Sequence, residues 1–202
     1  MKLLKINQDN PEKNKLKIAI DVLKEGKTVV YPTDTIYGIG ANALDIEAIE
    51  KVYRIKKREF NKPISICVPN IDYIKKVAYM NKETLEIIEN FLPGPFTIIL
   101  KKKENIPSLL TAGGEKIGIR LPDSKVCMEL SKEFPITTTS ANLSGEKIPE
   151  SVDGILKQID GTVDLILDTG ICKHGVHSTV IDMTLNPPQI VREGLIVPKF
   201  NL

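Results

Sequence analysis

The stretch Pro11-Glu-Lys-Asn-Lys-Leu-Lys-Ile-Ala-Ile-Asp-Val-Leu-Lys-Glu25, followed after Gly26 and Lys27 by Thr28-Val-Val-Tyr31-Pro32, reads as a helix that delivers the chain into a short strand. Leu16, Ala19, Ile20 and Leu23 recur at helical spacing and form one apolar face. Asn10 suits the cap, Pro11 the first helical position, and Gly26 the end. Thr28–Tyr31 is rich in β-formers, and Pro32 stops it.

The same alternation continues outward. Asp45 caps a second expected helix whose buried stripe is Ile46, Ile49, Val52 and Tyr53. Ile64–Val68 reads as a buried strand, then helices near Asp72–Tyr79 and Lys82–Phe91. Pro93-Gly94-Pro95 turns the chain into a strand at Phe96–Leu100. A strand at Ile117–Leu121, a helix around Ser124–Phe134 and a strand at Ile136–Thr139 come next. Ser151–Ile159 is expected to be helical, and strands near Leu165–Leu167, Thr179–Met183 and Gln189–Val191 complete the chain. Early strand–helix alternation followed by local pairing predicts an α/β fold with α+β character: an open mixed sheet with helices packed on it.

The chain has 202 residues, enough for one well-buried core. A net charge of +2 does not point to a nucleic-acid-coating protein, yet positive charge is local. Six basic side chains and one acid, Glu59, lie between Lys51 and Lys62. The first ten residues are too polar for a signal peptide, and no apolar run approaches the roughly 18 residues of a membrane span. Cys67, Cys127 and Cys172 are odd in number and widely spaced, which argues against a disulfide framework and for a reducing cytoplasm.

Lys56 and Arg58 fall where the second helix ends. There they can simply complement the helix dipole, or they can bind phosphate as a compact charge and a planar fork. No Walker loop and no GxGxxG fingerprint occurs, so a nucleotide would be held by dispersed side chains. Thr138-Thr-Ser140-Ala-Asn142 places hydroxyls and an amide at a strand end, where Ser and Asn are also ordinary turn formers. Ser178–Thr179 opens an apolar strand, and Arg192 stands near Gly194. Cys172, His174 and His177 lie within six residues, but they lack a fourth ligand or a helical HExxH spacing, and a polar loop is the preferred reading. No GxSxG elbow supports a nucleophile.

Seven segments in order resemble the YrdC/Sua5 family of threonylcarbamoyl-AMP synthases. They are Tyr31-Pro-Thr-Asp-Thr-Ile-Tyr-Gly38, Lys56-x-Arg58, Pro93-Gly-Pro95, Gly118-Ile-Arg-Leu-Pro122, Thr139-Ser-Ala-Asn-Leu-Ser-Gly145, Ser178-Thr-Val-Ile-Asp182 and Val191-Arg-Glu-Gly194. The resemblance implies a YrdC-like open twisted sheet, parallel and antiparallel, flanked by helices around a concave basic cavity. It implies one domain over residues 1–202, without the extra C-terminal domain of longer Sua5 members. The implied reaction joins L-threonine and bicarbonate as a carbamate whose oxygen attacks the α-phosphate of ATP. Pyrophosphate leaves, and Mg²⁺ arrives with the nucleotide, with no protein-bound metal site.

The product would pass to a tRNA threonylcarbamoyl transferase complex; direct contact with tRNA or double-stranded RNA is left open, and no membrane is involved. Carried over by motif, Lys56, Arg58, Ser140 and Asn142 form a central polar tetrad. Lys56, Arg58, Asn142 and Arg192 face ATP, with Lys62 and Lys116 as further nucleotide contacts. Thr35, Arg120, Ser140 and Ser178 hold threonine, Arg120 through its carboxylate. Cys67 falls at a threonine-side place often filled by a polar residue such as His, and Lys62 stands where Asn is frequent. The alternative, from another class, is an RNA-binding module using the basic concave surface. Such a module normally adds stacking aromatics, and here only Tyr53 and Phe60 lie near the cations.

Overall fold

The computed structural model describes residues 1–159 and 161–198. In chain order the elements are β1 (Lys2–Lys5), α1 (Lys13–Lys24), β2 (Val29–Pro32), β3 (Tyr37–Gly40), α2 (Ile46–Ile55) and β4 (Ser65–Cys67). Then come α3 (Ile71–Val77), β5 (Ala78–Tyr79), α4 (Lys82–Glu89), β6 (Phe96–Lys102), a 3₁₀ turn at Ser108–Thr111 and β7 (Lys116–Arg120). The last elements are α5 (Lys125–Leu130), β8 (Ile136–Ser140), α6 (Val152–Ile159), β9 (Leu165–Asp168), β10 (Thr179–Asp182) and β11 (Gln189–Arg192).

The strands form one mixed sheet in the order β1-β9-β2-β3-β8-β4-β7-β6-β10-β11, with β5 added on β6. The pairs β1/β9, β2/β9, β4/β7 and β6/β10 are parallel, and the others are antiparallel. The α/β mixed-sheet expectation therefore holds.

Strand alternation divides the sheet into two unlike faces. One face carries Ile66, Ile98, Ile117, Ile119 and Ile181 and packs under α2, α3, α4 and α6 in the larger core. The other face carries Val29, Tyr31, Cys67, Ile136, Leu165 and Leu167, which pack under α1 and α5 in a second core. Those two helices cover only one end of it. Further along this face, on β4, β6, β7 and β8, Ser65, Thr97, Gly118, Arg120 and Thr138 lie beyond their reach and line a cavity. The site thus exists because the two covering helices stop short of half a sheet face.

Several local expectations are corrected. Glu12, not Asn10, is the N-cap of α1, and it makes no side-chain cap. Its carboxylate instead accepts from the Asn7 N–H at 3.1 Å. Asp45 does cap α2, accepting from the Glu47 and Ala48 N–H groups at 3.0 and 3.2 Å. Ile46 in its first turn is exposed, and the buried stripe uses Ala48 instead. The helix expected to run to Tyr79 ends at Val77 because Ala78–Tyr79 pair with Lys101–Lys102. The helix begun at Ser124 ends at Leu130, where the Ser131 hydroxyl turns back to the Cys127 carbonyl at 2.7 Å. Among the described residues no helix is long and apolar enough to cross a membrane.

Candidate active site

The open half-face bounds a cavity of about 460 Å³, within the range of small-ligand sites. Its floor is the small and polar side chains of β4, β6, β7 and β8. Its walls come from Ile36–Gly38, the Arg58–Ile64 turn, Ser140, and His177–Ser178 with Arg192. Arg58, Lys116, Arg120 and Arg192 line it, and among the described residues no carboxylate does.

The turn after α2 sets the first cation. Lys56 is the C-cap, and Lys57 takes a left-handed φ of 47°. That reversal brings the Arg58 N–H back to the Tyr53 carbonyl at 2.9 Å. The three neighbouring side chains therefore diverge: Lys56 is buried, Lys57 is exposed, and Arg58 lines the cavity. Lys56 is 1% exposed, and its ammonium donates to the Ser140 carbonyl (2.5 Å), the Asn142 carbonyl (2.8 Å) and Asn142 Oδ1 (3.1 Å). An ammonium has three protons, so all are engaged inside the protein. Burial, then the nearby Arg58 charge, lowers its pKa to about 7, a pull that the three oxygens oppose.

Ser140 and Asn142 are coupled through the same network. The Ser140 hydroxyl lies 2.6 Å from Asn142 Oδ1, and Asn142 Nδ2 donates to the Glu146 carbonyl at 2.7 Å. With the amide so oriented, the serine proton goes inward. What Ser140 offers the cavity is lone pairs, a place for a ligand N–H or O–H.

Arg120, 6% exposed at the end of β7, donates from one terminal nitrogen to Asp34 Oδ1 at 2.7 Å and to Thr35 Oγ1 at 3.0 Å. Its Nε is buried without a hydrogen-bond partner. Ser178, 4% exposed, shares a 2.7 Å hydrogen bond with Thr97. Arg192 donates to the Ser178 carbonyl and hydroxyl at 2.9 and 3.3 Å. Lys116 pairs with Asp182 at 2.9 Å. Arg58 donates to the carbonyls of Lys62 (3.2 Å) and Pro63 (2.9 Å) and meets no carboxylate among the described residues. Burial lowers the pKa of both Arg58 and Arg192, in Arg192 with help from Arg120. His177 is pulled below the usual imidazole value by burial, then by Arg192 and Arg120.

Of the residues expected at the site, Arg58, Lys116, Arg120, Ser140, Ser178 and Arg192 line the cavity. Lys56, Asn142 and Thr35 stand one layer behind, bonded to groups that do. Cys67 and Lys62 are placed elsewhere. Cys67 shares a sheet face with the cavity residues but lies at its covered end, buried with Tyr31 and Cys127. The Lys62 ammonium is exposed and pairs with Glu59 at 3.4 Å; only its carbonyl serves the site. Sequence reasoning missed Asp34, Thr97 and Ser65. Asp34 stood inside a quoted motif, and the two others would have followed from extending strand alternation to the polar face. His177 does reach the cavity wall, whereas Cys172 is buried and His174 exposed, and no metal-binding cluster occurs among the described residues.

Residues 21–194 match the Sua5/YciO/YrdC family model, described as telomere recombination. A Methanocaldococcus jannaschii protein named putative threonylcarbamoyl-AMP synthase is 47% identical over 197 residues, which are 96% of this chain and 94% of that protein. The crystal structure of P. abyssi Sua5 complexed with L-threonine matches with a TM-score of 0.91 and 34% identity, over 96% of this chain and 58% of that one. The crystal structure of E. coli YciO matches at 0.88 with 28% identity, over 96% and 97%. With the model match spanning most of its length and the ordered motifs lying around one cavity, this chain belongs to the Sua5/YciO/YrdC family.

Proposed function

We propose that this protein is an L-threonylcarbamoyladenylate synthase, which joins L-threonine, bicarbonate and ATP to give threonylcarbamoyl-AMP and pyrophosphate. The observation that carries the reading is the division of charge within one cavity. Among the described residues Arg58 and Arg192 have no carboxylate partner and suit a triphosphate, while Arg120 is neutralised by Asp34 and suits a single carboxylate. The names of the M. jannaschii and P. abyssi relatives support it.

The threonine amine adds to bicarbonate with loss of water, and a carbamate oxygen then displaces pyrophosphate at the α-phosphorus. A carbamate reverts readily in water, so orientation within a walled cavity does more than a strong nucleophile. Arg120, Ser178 and Ser140 hold threonine, with Thr35 behind Arg120, and the lone pairs of Ser140 take an N–H or O–H of the substrate. Arg58 and Arg192 stabilise charge on the phosphate oxygens, with Lys116 at the rim. Mg²⁺ arrives with ATP and neutralises part of that charge. On this reading the product passes to a tRNA threonylcarbamoyl transferase complex in the cytoplasm.

Pyrophosphate release measured with ATP, leaving out threonine and bicarbonate in turn, tests the reading. Release that requires both supports it. Release that is indifferent to either, or binding of RNA without release, refutes it.

A further inference from the structure

Asp34 is 7% exposed, and both of its carboxylate oxygens are engaged: Oδ1 by Arg120 at 2.7 Å and Oδ2 by the Asp123 N–H at 3.1 Å. It therefore ties the β2–β3 turn to the chain leaving β7. The Arg120–Asp34 pair is sealed, with side-chain exposures of 7% and 9%. The nitrogen that Asp34 holds also donates to Thr35 Oγ1, while Nε of the same guanidinium is buried and without a partner. A buried guanidinium with no counter-charge is a strong site for any anion. With Asp34 in place the pair carries no net charge, and what remains is the Nε–H and the two N–H bonds of the other terminal nitrogen, held in fixed directions.

We propose that Asp34 is a positioning residue that makes Arg120 selective. It fixes the guanidinium so that the N–H groups Arg120 turns to the cavity meet an α-amino-acid carboxylate in one orientation, and it cancels the charge that would otherwise draw phosphate into that end of the cavity. This rests on the synthase reading and adds to it a reason why two anionic substrates sort to opposite cations. The triphosphate goes to Arg58 and Arg192, which have no carboxylate partner among the described residues, and the amino acid goes to Arg120.

Calorimetric titration of the full chain with L-threonine, ATP and pyrophosphate, in wild type and in Asp34→Asn, tests the assignment. In Asp34→Asn, pyrophosphate becomes a competitor of threonine, the preference for threonine over pyrophosphate falls about tenfold or more, and ATP affinity stays within about twofold. A merely structural role would weaken both substrates together and create no phosphate competition; that result overturns the assignment. If Asp34→Asn does not fold, Asp34→Glu is the readable variant. Its longer side chain keeps the charge while moving the guanidinium, so threonine affinity drops and pyrophosphate remains without effect on it. An unchanged preference for threonine over pyrophosphate in Asp34→Asn, or unchanged threonine affinity in Asp34→Glu where only that variant folds, overturns the assignment alone. Wild-type protein that binds no threonine overturns the assignment together with the substrate reading beneath it.

Discussion

Lys56 donates twice to Asn142, at its carbonyl (2.8 Å) and at its side-chain Oδ1 (3.1 Å), across 86 positions of sequence. With the third proton on the Ser140 carbonyl, the lysine holds the strand-end loop of β8 from beneath. Lys56→Met removes a donor from three buried oxygens and is expected to cost about 2–4 kcal/mol in stability. Turnover should fall about a hundredfold or more, because Ser140 is then no longer held in place. ATP affinity should fall less than in Arg58→Ala. Urea denaturation and ATP titration on the two variants check this; equal losses of ATP affinity would make Lys56 a direct phosphate ligand.

The same lysine predicts a pH dependence. Its pKa is about 7 in the fold against an ordinary 10.5, so between those values the unfolded chain holds a proton that the folded chain lacks. The penalty for burying its charge is therefore fully present below about pH 7 and is relieved as pH rises to the ordinary lysine pKa. The stability difference between wild type and Lys56→Met should grow between about pH 7 and about pH 10. Parallel stability curves for the two proteins over that interval would contradict it.

Among the described residues Arg58 is tied to two carbonyls, Lys62 at 3.2 Å and Pro63 at 2.9 Å, and its loss leaves no carboxylate unpaired. Arg58→Ala should lower kcat/KM for ATP by about 10²–10³-fold with stability changed by less than about 1 kcal/mol. Arg58→Lys should not restore it, since an ammonium cannot reproduce the planar fork. Steady-state kinetics beside a thermal melt separates this outcome from the helix-terminus role, in which stability would fall and kinetics would not.

Cys67 tests how far family position alone can be carried. Its side chain is fully buried among Tyr31, Val126, Cys127 and Ile136, at the covered end of the sheet face. Cys67→Ala is expected to cost about 1–2 kcal/mol through the small void it leaves. The KM for threonine should not change. A severalfold rise in that KM, with ATP unaffected, would instead make Cys67 part of the threonine site.

The apolar periods of α1 and α2 and the β-rich runs at Val29–Pro32 and Phe96–Lys102 were readable because burial on one face imposes a spacing. β3 was not, since Tyr37-Gly-Ile-Gly40 has glycines where a strand would show side chains. Those glycines make room for the Tyr31 ring: a Cβ on Gly40 would lie 2.8 Å from it. Arg58, Arg120, Ser140, Ser178 and Arg192 were found through motifs, and all face one cavity. What the motifs could not convey is depth. Lys56-x-Arg58 looks like a matched pair, yet the left-handed turn at Lys57 sends one side chain behind the loop and the other into the cavity. Asp34 was hidden for the same reason, because its partner Arg120 is 86 positions away and joins it only through the sheet.

Gly194 stands where the chain leaving β11 crosses the start of β10, and a Cβ there would strike backbone atoms of His177, Ser178 and Thr179. The crossing is fastened by the Gly194 N–H on Thr179 Oγ1 at 3.0 Å and the Leu195 N–H on the His177 carbonyl at 2.8 Å. Backbone cannot rotate aside as a side-chain tip can, so Gly194→Ala must lift one segment off the other. Stability is expected to fall by about 1–3 kcal/mol. Ser178 and Arg192 lie on the two segments being separated and are bonded to each other at 2.9 Å, so threonine and ATP affinities should weaken together. That joint loss distinguishes Gly194→Ala from Arg58→Ala, which spares threonine. Calorimetry with both ligands, beside a thermal melt, reads the outcome. Affinities unchanged at a lowered melting temperature would mean that the crossing supports the fold without shaping the cavity.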